Sequence, residues 1–424
     1  MTAPASRNPV EAPPTAAAVA YAAARLRTVV RQTPLERSER LSEQAGVPVL
    51  LKREDIQLCR SYKVRGAYNF ISSLSPEESA RGIVCASAGN HAQGVALACG
   101  RLGIHGRVFL PTNTPRQKRR RIEQIGGEWI TPVIEGRSYD EANRAARAES
   151  DSTGAMFVHP FDAALTIAGQ GTVGVEILEA LPDVDTVIVP VGGAGLLAGV
   201  SLWLRANRPN TRIVGVEPAG AACFQAALDA GQPVELTAVD TFVDGAAVAR
   251  VGDMSFAVAK DLVDEMVSVP EGAVCTEMLE LYQTEGIIAE PAGALATAAL
   301  RGYLTRRPEG PVVCIVSGGN NDVSRYADIL ERSLIHEGLR HYFLVTFPQE
   351  PGALRGFLTD VLGEGEDIVL FEYMKKNNRE TGPALVGIEL DEAGRLPSLL
   401  ERIEASPLHI ERVQPGTPLS SFLL

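Results

Sequence analysis

Between Val19 and Val323, short runs rich in β-branched residues alternate with longer segments rich in alanine and leucine. The runs fall at 49–52, 83–86, 107–110, 129–133, 187–191, 213–216 and 312–316. Strands separated by helix-length segments predict βαβ units and a parallel sheet, and so an α/β fold. Apolar residues follow one another within these runs, as expected when helices cover both faces of a sheet. The rhythm changes after a helix predicted at 327–337. Beyond that helix the pattern predicts a strand at 340–347, a helix at 351–362, strands at 368–374 and 385–389, a helix at 396–403 and a strand at 409–413. That βαββαβ order is the ferredoxin-like arrangement of an α+β domain. The expected division is a flexible tail at 1–17, an α/β unit at 18–330 and a separate domain at 339–424.

Charge narrows the partners. The chain carries 40 basic and 52 acidic side chains, a net charge of -12, which disfavours nucleic acid and anionic membrane. Residues 186–204 are long and uncharged enough to suggest a membrane span, but their Pro-Val-Gly-Gly-Ala-Gly centre argues against one. The first residues lack the basic start, apolar run and cleavage site of a secretory signal. The 6 cysteines are scattered, with no C-x-x-C pair and no Cys/His cluster. They read as free, mostly buried thiols of a reducing, cytoplasmic compartment.

Three glycine-rich turns carry the chemistry: SAGNHAQG at 87–94, VGGAGLLAG at 191–199 and SGGN at 317–320. Each follows a predicted strand, and in an open α/β sheet ligands bind at the carboxyl ends of strands. The second suits a phosphate best, because its glycines let amides close around an anion at a helix N-terminus. It matches neither the nucleoside-triphosphate loop nor the G-x-G-x-x-G dinucleotide spacing. Tight helix–strand packing would explain the same glycines. Lysine is scarce, at Lys52, Lys63, Lys118, Lys260, Lys375 and Lys376. Lys63, upstream of the first turn, is either a solvated lysine opening a helix or a nucleophilic amine, which needs a desolvated site to lose its proton.

The motifs SYKVRGA, SAGNHAQG, VGGAGL and SGGN stand in the order seen in fold-type II pyridoxal-phosphate enzymes, and over about 18–330 the chain most resembles the threonine dehydratases. The resemblance implies a two-lobed, tryptophan synthase β-like catalytic unit with pyridoxal 5'-phosphate as cofactor. It implies Lys63 as Schiff-base lysine and catalytic base, Asn90 at the ring hydroxyl and Ser317 at the pyridine nitrogen. Gly192, Gly193, Ala194, Gly195 and Leu196 would hold the phosphate. Ser87, Ala88, Gly89, Asn90 and His91 would receive the substrate carboxylate. Threonine would displace Lys63, whose amine takes the α-proton; loss of the β-hydroxyl and hydrolysis then give 2-oxobutanoate and ammonia. A neutral hydroxyl at Ser317 weakens the ring as an electron sink and favours elimination.

The stretch VEPAGAACF at 216–224 resembles the cation site of serine racemases, but Cys223 stands where aspartate is expected, so no required metal is expected. Glu290 reads as support for the cofactor side of the cleft or as a helix-start carboxylate. Arg119, Arg120 and Arg121 read as a solvated helix face, and His159 as a structural histidine. Serine is the less favoured substrate. The other readings are a serine dehydratase, serine racemase or β-replacement enzyme, or a non-catalytic amino-acid sensor, which should have lost Lys63 or a glycine turn. The 339–424 segment resembles a single ACT-like regulatory domain. The resemblance implies isoleucine binding near its first strand-to-helix turn, at 347–354, with valine opposing it, and a homotetramer.

Overall fold

The computed structural model describes residues 12–373, 379–414, 417 and 419. The chain forms two compact units, one of residues up to 271 with 280–321, the other of 272–279 with residues from 322 onward. The strands of the first unit are β1 (Leu35–Ser38), β2 (Val49–Arg53), β3 (Ile83–Ala86), β4 (Gly106–Leu110), β5 (Ile130–Ile134), β6 (Met156–Phe157), β7 (Thr186–Pro190), β8 (Arg212–Pro218), β9 (Glu265–Val269) and β10 (Val312–Val316). They build two sheets, of order β1-β2-β10-β7-β8-β9 and β5-β4-β3-β6. All pairings are parallel except β1 with β2. The central strands β3, β7, β8 and β10 are buried throughout, which explains the apolar runs within them.

Expected strands at all seven positions are present; β1, β6 and β9 were not anticipated. β1 reads Leu-Glu-Arg-Ser, β6 has two residues, and β9 lies at a sheet edge and is only partly buried. The stretch weighed as a membrane span is β7, a glycine turn and the helix Gly195–Asn207. No helix among the described residues is long and apolar enough to cross a membrane. Of the predicted tail, residues 1–11 lie outside the described residues; Thr15 caps the helix Ala16–Leu26, accepting from the Ala18 amide, so 16 and 17 are already helical.

One helix, Ala164–Ala180, is the spine of the site. A Cβ on Gly169 would fall 2.6 Å from the Arg65 carbonyl oxygen, and one on Gly199 2.5 Å from the Gly171 nitrogen. Backbone therefore meets backbone, which only glycine permits. Helix Lys63–Ile71 and helix Gly195–Asn207 both lie against the spine through these contacts. Their N-termini carry Lys63 and the second glycine turn.

The second unit contains β11 (Arg340–Pro348), β12 (Glu366–Tyr373), β13 (Thr381–Leu390) and β14 (His409–Arg412), with helices Ala353–Asp360 and Leu396–Ala405. Its antiparallel order, β12-β13-β11-β14, is the ferredoxin-like one. Along β11 burial alternates, with His341, Phe343, Val345 and Phe347 inward. That is how a sheet with one packed face differs from the buried parallel strands. The expected end of the second strand, Met374, lies outside the described residues.

Candidate active site

Lys63 opens its helix and is half-buried. Its Nζ donates to the Pro160 carbonyl (2.9 Å) and lies 5.3 Å from the Tyr62 ring centroid and 6.0 Å from that of Phe161. Burial lowers its pKa to about 8, with Glu290 pulling weakly the other way. The amine thus loses its proton far more readily than a solvated lysine, whose pKa is ~10.4.

The first and third turns meet beside it. Ser61 bridges Gly318, and the Tyr62 amide donates to the Ser317 carbonyl (3.2 Å). Asn90 donates to Glu290 Oε1 (2.6 Å) and accepts from the Asn320 side chain (2.7 Å), while the Asn320 amide reaches Glu290 Oε2 (3.2 Å). Glu290 precedes the helix Pro291–Ala298 but makes no side-chain cap. It instead joins the first turn to the third, and burial, with Asp244 adding, raises its pKa to about 7. Ser317 Oγ donates to the Ala292 carbonyl (3.2 Å), so giving its one hydrogen to a ring nitrogen would mean leaving Ala292.

The second turn reaches Lys63 through Phe161. A Cβ on Gly193 would fall 2.3 Å from the Phe161 ring, and one on Gly192 2.9 Å from Ala246. Packing thus accounts for these two glycines. Ala194 has φ +67°; among the described residues Arg60, three before Lys63, is the other non-glycine with a positive φ. The helix Gly195–Asn207 starts without a side-chain cap, so its first amides have no intrahelical acceptor and face the turn as anion donors.

The expected carboxylate site is more committed. The Ser87 amide donates to Phe109 (3.3 Å) and the Gly89 amide to Ser87 Oγ (3.3 Å). Ala88 packs against the apolar core, and His91 is buried, its Nε2 2.8 Å from the Val158 carbonyl oxygen. Burial holds the pKa of His91 to about 3, so its ring is neutral. The uncapped start of helix Asn90–Leu102 remains as the anion-facing feature.

His159 Nδ1 accepts from the amides of Phe161 (3.3 Å) and Asp162 (2.8 Å), a structural role. Arg120 and Arg121 are exposed while Arg119 is half-buried. Cys223 Sγ donates to the Gly192 carbonyl (3.5 Å), and Glu217 holds the amides of Phe224 (2.6 Å) and Gln225 (3.0 Å). In the second unit, Gly352 (φ +98°) turns the chain into the uncapped helix Ala353–Asp360, and Phe347 lies edge-on to Phe357 at 5.5 Å.

A primary amine, an uncapped helix start and a buried hydroxyl match an aldehyde, a phosphate and a ring nitrogen, so these residues fit pyridoxal 5'-phosphate. The family described as pyridoxal-phosphate dependent enzyme matches residues 26–318, and the C-terminal regulatory domain of threonine dehydratase matches 331–423. The chain is 58% identical over 407 residues to the biosynthetic L-threonine dehydratase of Mycobacterium tuberculosis, covering 95% of this chain and 94% of that protein. The chain belongs to the threonine dehydratase family of pyridoxal-phosphate dependent enzymes. Threonine deaminase isoform 2 from Solanum lycopersicum, in its processed form, superposes with TM-score 0.71 at 38% identity, covering 78% of this chain and 99% of that one. Maize serine racemase gives TM-score 0.69 at 32% identity, over 77% and 99%. Membership establishes the fold-type II catalytic unit, the cofactor and a C-terminal regulatory domain. Motif reading missed Pro160 and Phe161 of this dehydratase-family site, and it left Glu290 undecided.

Proposed function

We propose that this chain removes water and ammonia from L-threonine to give 2-oxobutanoate, the first step of isoleucine biosynthesis, with serine the poorer substrate. The observation that carries the reading is the Lys63 amine, its pKa lowered by burial and without a hydrogen-bonded carboxylate among the described residues, beside a Phe161 ring that also touches the turn before an uncapped helix start. When bound, pyridoxal 5'-phosphate supplies an electron sink for the substrate's α-carbon. Lys63 carries the cofactor and, once free, takes the α-proton as general base. The amides of Gly192, Gly193, Ala194, Gly195 and Leu196 hold the phosphate, Asn90 the ring hydroxyl and Ser317 the ring nitrogen. Ser87, Ala88, Gly89, Asn90 and His91 orient the substrate carboxylate.

Residues 18–330 are assigned to catalysis and 339–424 to control. Isoleucine binds at the 347–354 turn and inhibits, and valine opposes it; a coupling of ~1–3 kcal/mol suffices. A homotetramer in the cytoplasm completes the reading, and six free, buried thiols suit that compartment. The test is oxo-acid formation by purified full-length protein with threonine and with serine, with and without isoleucine. Faster turnover of threonine, inhibited by isoleucine and restored by valine, is expected. A preference for serine would favour the serine-directed reading, and indifference to isoleucine would remove the effector assignment.

A further inference from the structure

The turn at 159–162 belongs to none of the glycine motifs, yet it touches both the amine and the phosphate-type loop. Pro160 accepts from Lys63 Nζ (2.9 Å), and the Phe161 ring centroid is 6.0 Å from the same nitrogen. The same ring also meets the second glycine turn. A Cβ on Gly193 would fall 2.3 to 2.4 Å from three Phe161 ring carbons, and one on Gly195 2.6 Å from the Phe161 carbonyl oxygen. Ring and loop backbone are therefore in direct contact.

Phe161 is clamped from within its own turn and from outside. His159 Nδ1 must be unprotonated to accept the Phe161 and Asp162 amides, and burial keeps it so, with its pKa lowered to about 3. The His159 ring stands edge-on to the Phe161 ring, 4.7 Å away at 87°. Asp162 accepts the amides of Asp253 (3.0 Å) and Ser255 (2.8 Å), and Ser255 Oγ donates to the Phe161 carbonyl (2.9 Å). The turn then runs directly into the spine helix Ala164–Ala180.

We propose that Phe161 is a positioning residue whose clamped ring sets the spacing between the Lys63 amine and the 192–195 loop and excludes water from that amine. The inference rests on reading Lys63 as the cofactor-bearing lysine. A rigid ligand attached at one end to an amine and at the other to a phosphate loop requires that spacing to be fixed, and misplacement of about 1 Å is costly. The groups facing Lys63 are Glu290, the neutral His91 and His159, and the Tyr62 ring. Burial lowers the pKa of the amine against the opposing pull of Glu290, and the Phe161 ring is one of the groups beside it.

The test uses cofactor-free, full-length protein labelled with 13C at the lysine ε-carbon, with the Lys63 resonance assigned by its loss in Lys63→Arg. In the unsubstituted protein the Lys63 amine is expected to titrate near pH 8. In Phe161→Ala the midpoint should rise by about one pH unit or more, toward the ordinary lysine value. Titration with pyridoxal 5'-phosphate should show binding weakened by about tenfold or more. Phe161→Leu, which keeps an apolar side chain, should shift both in the same direction by less, and it decides the matter if the alanine variant does not fold. Unchanged midpoint and unchanged affinity in the folded variants would overturn the proposal, as would a midpoint above pH 10 in the unsubstituted protein. Borohydride reduction of the holoenzyme that leaves Lys63 unmodified would instead defeat the reading of Lys63 as the cofactor-bearing lysine, an outcome the titration distinguishes.

Discussion

Lys52 and Lys63 lie eleven residues apart within the same unit, and both are pulled below the ordinary lysine pKa first by burial. Their surroundings are otherwise opposite. Lys52 Nζ pairs with Glu176 (2.5 Å) and donates to the Thr33 carbonyl (2.6 Å). Beside it the fully buried Arg65 pairs with Glu54 (2.8 Å) and Glu176 (2.6 Å), so two cations and two carboxylates form a neutral cluster. Burial works against the Arg65 charge, and the two carboxylates more than offset it, holding its pKa above the ordinary value. Lys63 has a carbonyl and two aromatic rings instead. Burial alone does not mark a reactive lysine; burial without a hydrogen-bonded counter-ion does.

Substitutions in the two regions should separate their roles. Lys63→Ala is expected to lower threonine turnover by about a thousandfold or more, since attachment and proton transfer both use that amine, while stability in urea is not lowered. Glu54→Gln should do the reverse, costing roughly 3–5 kcal/mol in urea unfolding because Arg65 is left buried without its full complement of charge. Equal losses of stability in both variants would break the comparison.

A smaller effect arises from proton linkage. A lysine whose folded pKa is depressed binds fewer protons folded than unfolded, so its charged form penalises the native state. That penalty is fully present below about pH 8 and is relieved as pH rises toward the unfolded value of ~10.4. In cofactor-free protein, stability between pH 8 and 10 should therefore rise more steeply than in Lys63→Met, by on the order of 1–3 kcal/mol. Lys52 titrates in both proteins and cancels. Parallel pH profiles would mean that the Lys63 amine is solvated.

Much of this was legible in the residues. Fully buried parallel strands such as β7 and β10 show themselves as unbroken apolar runs, whereas β1 and β9 are edge strands with polar positions and escape that signal. The glycine turns and Lys63 form recognisable strings. The turn at 159–162 does not, because its contacts run through a carbonyl, a ring face and backbone amides, which residue identity does not advertise. Glu290 leaves two readings open, cleft support and helix-start carboxylate, because it stands before a proline at a helix start. Its carboxylate turns away to Asn90 across 200 positions of sequence. Arg65, two residues after Lys63, is fully buried because Glu54 and Glu176 await it, which the local string does not advertise.

The most direct measurement is to reduce the holoenzyme with borohydride, digest it and locate the cofactor by peptide mass. The account predicts that the added mass sits on the peptide containing Lys63, and that the peptide containing Lys52, buried but ion-paired, is unmodified. Cofactor trapped on Lys52, or on any lysine other than Lys63, would contradict it.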